Sequence, residues 1–228
     1  TAVALILVFY AFQILQIRYP LFWTVVFSFV SAAVLYRLLM VRPHPISIGL
    51  TLLIFAWLIK NNMIGLFLGS WFLAFIHLSL AWIPLLITLV ITAIRSLPDL
   101  IKKTDFRPKE LKPALFVLLG LIAGWLLRPN PLGAFRLAYI QVVELSFMKH
   151  LPLRFGTELK PFVWKNFVDQ LIPISALAIL ALVFLLLILL RKKERLIYNE
   201  AVLGSLVLAA VFGALTFTMA RRANDFFV

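Results

Sequence analysis

The sequence predicts an all-α membrane protein, a polytopic transmembrane helical bundle of seven or eight spans, with an extracytoplasmic loop carrying an interfacial helix. Three observations predict it. Of 228 residues, 64% are hydrophobic and 14% charged, and mean hydropathy is +1.06. The apolar residues fall in unbroken runs, as helices solvated by lipid require. The charged residues gather in the breaks between those runs, where a bilayer would leave them in water.

The first span is Ala2 to Ile17, closed by Arg18, Tyr19 and Pro20, a basic and aromatic pair of the kind that anchors a helix end at the interface. The second is Leu21 to Met40. Val41-Arg42-Pro43-His44-Pro45 follows as a tight basic link, because two prolines forbid a continuing helix. Ile46 to Ile59 forms the third span, ended by Lys60-Asn61-Asn62.

Met63 to Ile94 is ambiguous. As one helix it would be about 48 Å long, against a hydrocarbon core of roughly 30 Å. Either one tilted and kinked helix runs through, or two short spans meet at Trp82-Ile83-Pro84. Charge counting does not choose, since both topologies put 12 of the 22 Lys/Arg on the side of the Arg95 to Lys112 loop and 10 opposite. That loop holds six basic residues and is read as cytoplasmic. Pro113 to Leu127 then crosses outward, Leu171 to Leu190 returns to the basic cluster Arg191 to Arg195, and Asn199 to Ala220 crosses outward again to Arg221-Arg222.

The chain therefore divides into residues 1–127, spans with short links and one basic cytoplasmic loop at 95–112; residues 128–170, an extracytoplasmic loop; and residues 171–228, two further spans. The loop from Arg128 to Gln170 is the longest stretch that cannot enter hydrocarbon, with six Lys/Arg and three acidic residues. Asn130-Pro131-Leu132-Gly133 in it is a turn signature. Phe135 to Met148 reads as a helix lying in the interface, with Arg136, Gln141 and Glu144 on its wetter side. Phe162, Trp164 and Phe167 seat the end of the loop or simply fix its depth. The chain begins at Thr1 inside one apolar run and stops at Val228 as another opens, and so reads as a fragment.

Composition also excludes classes. The net charge of +13 would suggest nucleic acid in a soluble protein; here the bases flank apolar runs and point to topology and to anionic lipid, with no nucleic acid as partner. No cysteine is present, which removes disulfides and thiolate metal sites. All nine Asp/Glu lie in loops or at span ends, against a proton or sodium pathway through these spans. His77 is the one titratable group deep in an apolar run, with Ser70 and Ser79 nearby. A pigment or haem ligand is one reading; a neutral imidazole bonded to a neighbouring helix is the preferred one. Phosphate-binding loops, dinucleotide fingerprints, paired metal histidines and nucleophile elbows are missing, and no cofactor is assigned.

Five short stretches in order carry a resemblance: Val41-Arg42-Pro43-His44 with Ser47, Asn62-Met63-Ile64-Gly65, Asn130-Pro131-Leu132-Gly133, Gly156-Thr157-Glu158-Leu159-Lys160-Pro161, and Arg221-Arg222-Ala223-Asn224-Asp225-Phe226-Phe227. The chain resembles a family of bacterial integral membrane proteins similar to the GT-C glycosyltransferases, which use polyprenyl-phosphate-linked sugars. In that family the stretches tend to read Arg-Pro-Gln, Asn-x-His-Gly, Asn-Pro-x-Gly, Glu-Trp-x-Pro and Arg-Arg-x-x-Glu. Ile64 stands where histidine is usual and Leu159 where tryptophan is. The resemblance implies a location in the bacterial inner membrane and a lipid-phosphate-linked sugar as substrate. It also implies a catalytic acid in a first extracytoplasmic loop, upstream of Thr1, so no catalytic residue is assigned here.

A lipid-phosphate leaving group gains negative charge as the sugar bond breaks, and arginine forks at the membrane surface would stabilise it. The candidates are Arg128, Arg136, Arg154, Arg221 and Arg222, weighed against ordinary headgroup contact. Glu158 is the acidic candidate for sugar hydroxyls or for orienting an arginine, weighed against a structural ion pair. Two other functions stand beside the transferase: a non-catalytic subunit or scaffold bound to other proteins of a membrane complex, and a transporter of a lipid-linked substrate.

Overall fold

The computed structural model describes residues 2–29, 44–101, 111–144 and 200–218. Among them every regular element is helical. These are α1 (Ala2–Ile14), α2 (Pro20–Phe29), α3 (His44–Ile59), α4 (Met63–Ile76), a 3₁₀ turn (Leu78–Leu80), α5 (Trp82–Ile101), α6 (Lys112–Leu126), α7 (Pro131–Tyr139) with a π-helical extension (Ile140–Glu144), and α8 (Glu200–Thr218).

Helix α3 is the centre. It is apolar around its whole circumference, and 12 of its 16 residues are buried, as expected of a helix enclosed by others. It begins two residues before the expected Ile46 because Pro45 sits in the first turn, where a missing N–H costs nothing. Its end is set by two asparagines with separate tasks. Asn61 takes the left-handed conformation that stops the helix (φ 54°), and Asn62 starts the next one, its side chain accepting from the Gly65 amide at 2.9 Å.

The ambiguous stretch 63–94 is two helices of opposite direction. The break falls at His77 to Ala81, just before the expected Trp82-Ile83-Pro84. Pro84 causes no kink, since it lies in the first turn of α5, whose amides have no helical acceptor in any case. The chain does turn back. Arg95, on the last turns of α5, donates to the carbonyl of Leu58 and to the Asn61 side chain, beside the start of α4.

Close backbone approach holds α4 between its neighbours. A Cβ on Gly120 would strike the Phe67 carbonyl and one on Gly124 the Trp71 carbonyl, so α6 runs parallel to α4 with its Gly-x-x-x-Gly face against it. On the other side, Gly65 and Gly69 receive Trp57 and Ile54 of α3, which a Cβ would meet at 2.5 and 2.8 Å. Helix α8 runs against α5 in the opposite direction: Gly204 faces Ile91, and the Trp82 and Phe212 rings lie 6.1 Å apart.

Hydroxyl groups inside these apolar helices satisfy themselves locally. Thr24, Ser28, Thr51, Thr88 and Ser96 each donate to the carbonyl four residues earlier, at 2.7 to 2.9 Å. Such bonds let a hydroxyl sit away from water without the penalty of an unmet donor.

By length and composition, Leu78–Ser96 can cross a membrane as one helix. Lys112–Leu126 and Pro131–Glu144 qualify together but are bent by 117°, and Ala2–Ile14, Pro20–Phe29, His44–Ile59, Met63–Ile76 and Glu200–Phe212 are apolar and shorter. Large side chains such as Ile64, Leu89 and Leu126 stand exposed at 71%, 58% and 57%.

Candidate functional site

The helix directions sort the polar side chains into two ends. At one lie the start of α3, the end of α4, the 3₁₀ turn, the end of α6 and all of α7. At the other lie the end of α3, the start of α4, Arg95 and the start of α8.

The first end is built around His77. It closes α4 by leaving the helical conformation (φ −147°, ψ 72°), and its amide still donates to the Leu73 carbonyl at 2.8 Å. Its Nδ1 is 2.9 Å from Ser47 Oγ on α3. His44, one turn before Ser47, meets the His77 ring edge to face with centroids 5.7 Å apart. His44 and Ser47 are buried, whereas His77 is half-buried. The expected bond from this imidazole to a neighbouring helix is therefore present. Neither Ser70 nor Ser79 makes it; Ser70 Oγ is buried with no hydrogen-bond partner among the described residues.

The two histidines come from different signals. His44 and Ser47 belong to the first resemblance stretch, and His77 is an isolated polar residue in an apolar run. Spacing within α3 puts His44 and Ser47 on one face, since residues three apart are neighbours on a helix. Nothing in the sequence pairs that face with position 77.

Arg128 completes this end. Its Nη1 donates to the carbonyls of Ala74 and Phe75 at 3.0 and 2.8 Å. These belong to the last turn of α4, where carbonyls lack helical donors and the helix dipole attracts a cation. Arg128 thus has a structural task that its reading as a phosphate ligand did not include. Two residues later Asn130 caps α7, accepting from the Gly133 amide at 2.9 Å, with Pro131 in the first turn. Asn130-Pro131-Leu132-Gly133 is accordingly a helix start, the same device as Asn62 to Gly65. Gly133 leaves room for the cap, as a Cβ there would meet the Asn130 side chain at 2.6 Å.

Helix α7 begins four residues before the expected Phe135. Trp125 fixes the corner, its indole N–H donating to the Pro131 carbonyl at 2.7 Å and its ring 5.5 Å from Phe135. No residue of α7 is buried, and Arg136 is exposed in its last turn. Arg154, Glu158, Arg221 and Arg222 lie outside the described residues, so Arg128 and Arg136 are the two candidates brought to this end.

The opposite end is organised by Arg95, expected only as the start of a basic loop. Its Nε donates to Glu200 Oε2 at 2.7 Å, Nη1 to Asn61 Oδ1 at 2.8 Å, and Nη2 to the Leu58 carbonyl at 3.1 Å. One guanidinium fork so joins three helices.

Among the described residues no group of three or more His, Cys, Asp or Glu is placed to hold a metal ion. No family model matches this chain, and no curated protein or solved structure does either.

Proposed function

We propose that this is an integral membrane protein of eight spans that transfers a sugar from a polyprenyl-phosphate donor on the extracytoplasmic side. The observation that carries the reading is the gathering of His44, Ser47, His77, Arg128 and Arg136 at one end of the described helices. Ionisable groups in apolar surroundings are costly and are kept where a task needs them. Reversal of the chain between α4 and α5 supports eight spans over seven, with Lys60, Arg95 and Glu200 on the cytoplasmic side.

In this reading Arg128 and Arg136, with Arg154, Arg221 and Arg222, neutralise the lipid phosphate as it departs, and Glu158 holds sugar hydroxyls. The inner membrane of a bacterium is the expected location. The catalytic base stays unassigned.

Labelled sugar on a polyprenyl-phosphate carrier, supplied to the purified protein in liposomes, tests the proposal. Transfer should fall about a hundredfold or more in Glu158→Ala and in Arg221→Ala, the scale of losing one transition-state contact. Unchanged transfer in both variants removes these residues from the site, and no transfer by the protein carrying its upstream first loop removes the activity.

One observation favours a second reading, a non-catalytic subunit of a membrane complex. Arg128 is already engaged as the cap of α4, and in a scaffold that task would be its whole role.

A further inference from the structure

The helix from Pro131 to Glu144 is turned 117° from α6, which is 27° beyond a right angle. A helix so turned cannot continue the path of α6. It carries Leu132, Phe135, Leu137 and Tyr139 exposed at 78%, 56%, 55% and 46%, with no buried residue in α7. An apolar surface of this kind on a short helix needs an occupant.

We infer that Pro131–Glu144 lies in the headgroup layer of a bilayer leaflet containing anionic phospholipid and covers the His77 corner. The inference rests on the membrane reading proposed above. Two observations select lipid over a protein partner. Apolar side chains are exposed on both helices at the corner, Ile122 and Leu126 of α6 and Leu127 just after it at 40%, 57% and 62%, as lipid-facing side chains are. The charge is complementary as well: Arg136 stands among the apolar residues of α7, Arg128 precedes it, and the whole chain carries +13. A surface helix with aromatic and aliphatic side chains and a basic residue takes up the boundary between headgroups and acyl chains.

The corner is rigid enough to hold that orientation. Asn130 caps the helix, Trp125 bonds the Pro131 carbonyl, and Arg128 ties the link to the end of α4. The helix also packs on the 3₁₀ turn Leu78–Leu80, directly after His77. Headgroup phosphates would in consequence lie within a short distance of the His77 imidazole.

The chain has no cysteine, so single substitutions Leu132→Cys, Phe135→Cys, Arg136→Cys, Tyr139→Cys and Val143→Cys each give one nitroxide site. Depth is read by power saturation with oxygen and a nickel chelate, in vesicles of phosphatidylcholine with and without phosphatidylglycerol. We expect an even depth along the helix, with Arg136→Cys the shallowest, and a deeper set when phosphatidylglycerol is present. Depth growing by about 1.5 Å at each residue would make the segment a span and overturn the inference. Free access of the nickel chelate to all five sites would also overturn it, and equal depths in both vesicle types would remove the anionic lipid. Extraction of the protein by alkaline carbonate would instead refute the membrane reading beneath it.

Discussion

Arg95 Nε and Glu200 Oε2 are 2.7 Å apart across 105 residues of chain, and this contact fixes α8 against α5. The Arg95 side chain is only 11% exposed and also serves Asn61 and the Leu58 carbonyl. Arg95→Ala leaves those acceptors and the carboxylate unmet, and should cost about 3 kcal/mol. Glu200 is 40% exposed, so Glu200→Gln should cost about 1 kcal/mol or less after solvent screening. Thermal unfolding in detergent measures both. Arg95→Lys should recover little, because an ammonium cannot reproduce the fork.

Gly124→Ala offers a test of opposite sign to the usual rule. In an ordinary helix interior the change gains about 0.5–1 kcal/mol. Here the new Cβ would meet the Trp71 carbonyl, which belongs to a backbone that cannot swing away. We expect a loss of about 1–3 kcal/mol, the usual cost of overpacking. A rise in unfolding temperature would show that α6 does not press on α4.

The two asparagine caps should behave alike although they lie at opposite ends. Asn62→Ala and Asn130→Ala are each expected to lower stability by about 1 kcal/mol, whereas Asp at either position should retain most of it. Hydrogen exchange would locate the loss in the first turn of α4 in one case and of α7 in the other. Protection unchanged in both first turns would refute the capping role.

Ser47→Ala removes the hydroxyl that holds His77 Nδ1 and should cost about 1 kcal/mol. The His77 imidazole should then lose its fixed orientation, seen as sharpened and shifted ring resonances in histidine-labelled protein. Unaltered resonances would mean that Ser47 does not position the ring.

Much of the bundle was legible before any coordinates. The limits of α3 and α6 and the start of α8 follow from apolar runs closed by Asn61, Pro113 and Asn199, because each break brings a proline or a turn former. Helix α1 instead ends at Ile14, short of the expected Ile17, where Gln16 takes a left-handed conformation (φ 59°). Pairing was less legible. Gly65-x-x-x-Gly69 and Gly120-x-x-x-Gly124 stand in plain view and mark close helix contact, yet spacing alone does not say which helix fills each face. Pro84 drew attention as a breaker, but proline is harmless in a first turn, and the real reversal at His77 has no proline or glycine. Arg95 looked like loop charge because one sequence cannot reveal an acid 105 residues away. His77 with Ser47 was equally hidden, since their meeting depends on α3 and α4 running antiparallel.

Sidedness decides whether the His77 end can meet a lipid-linked sugar at all. Lys60→Cys and Pro129→Cys, both at exposed positions, can be labelled in intact cells and in inverted vesicles with a membrane-impermeant maleimide. Pro129→Cys should react only from the extracytoplasmic side and Lys60→Cys only from the cytoplasmic side. Reaction of both from the same side would contradict that sidedness.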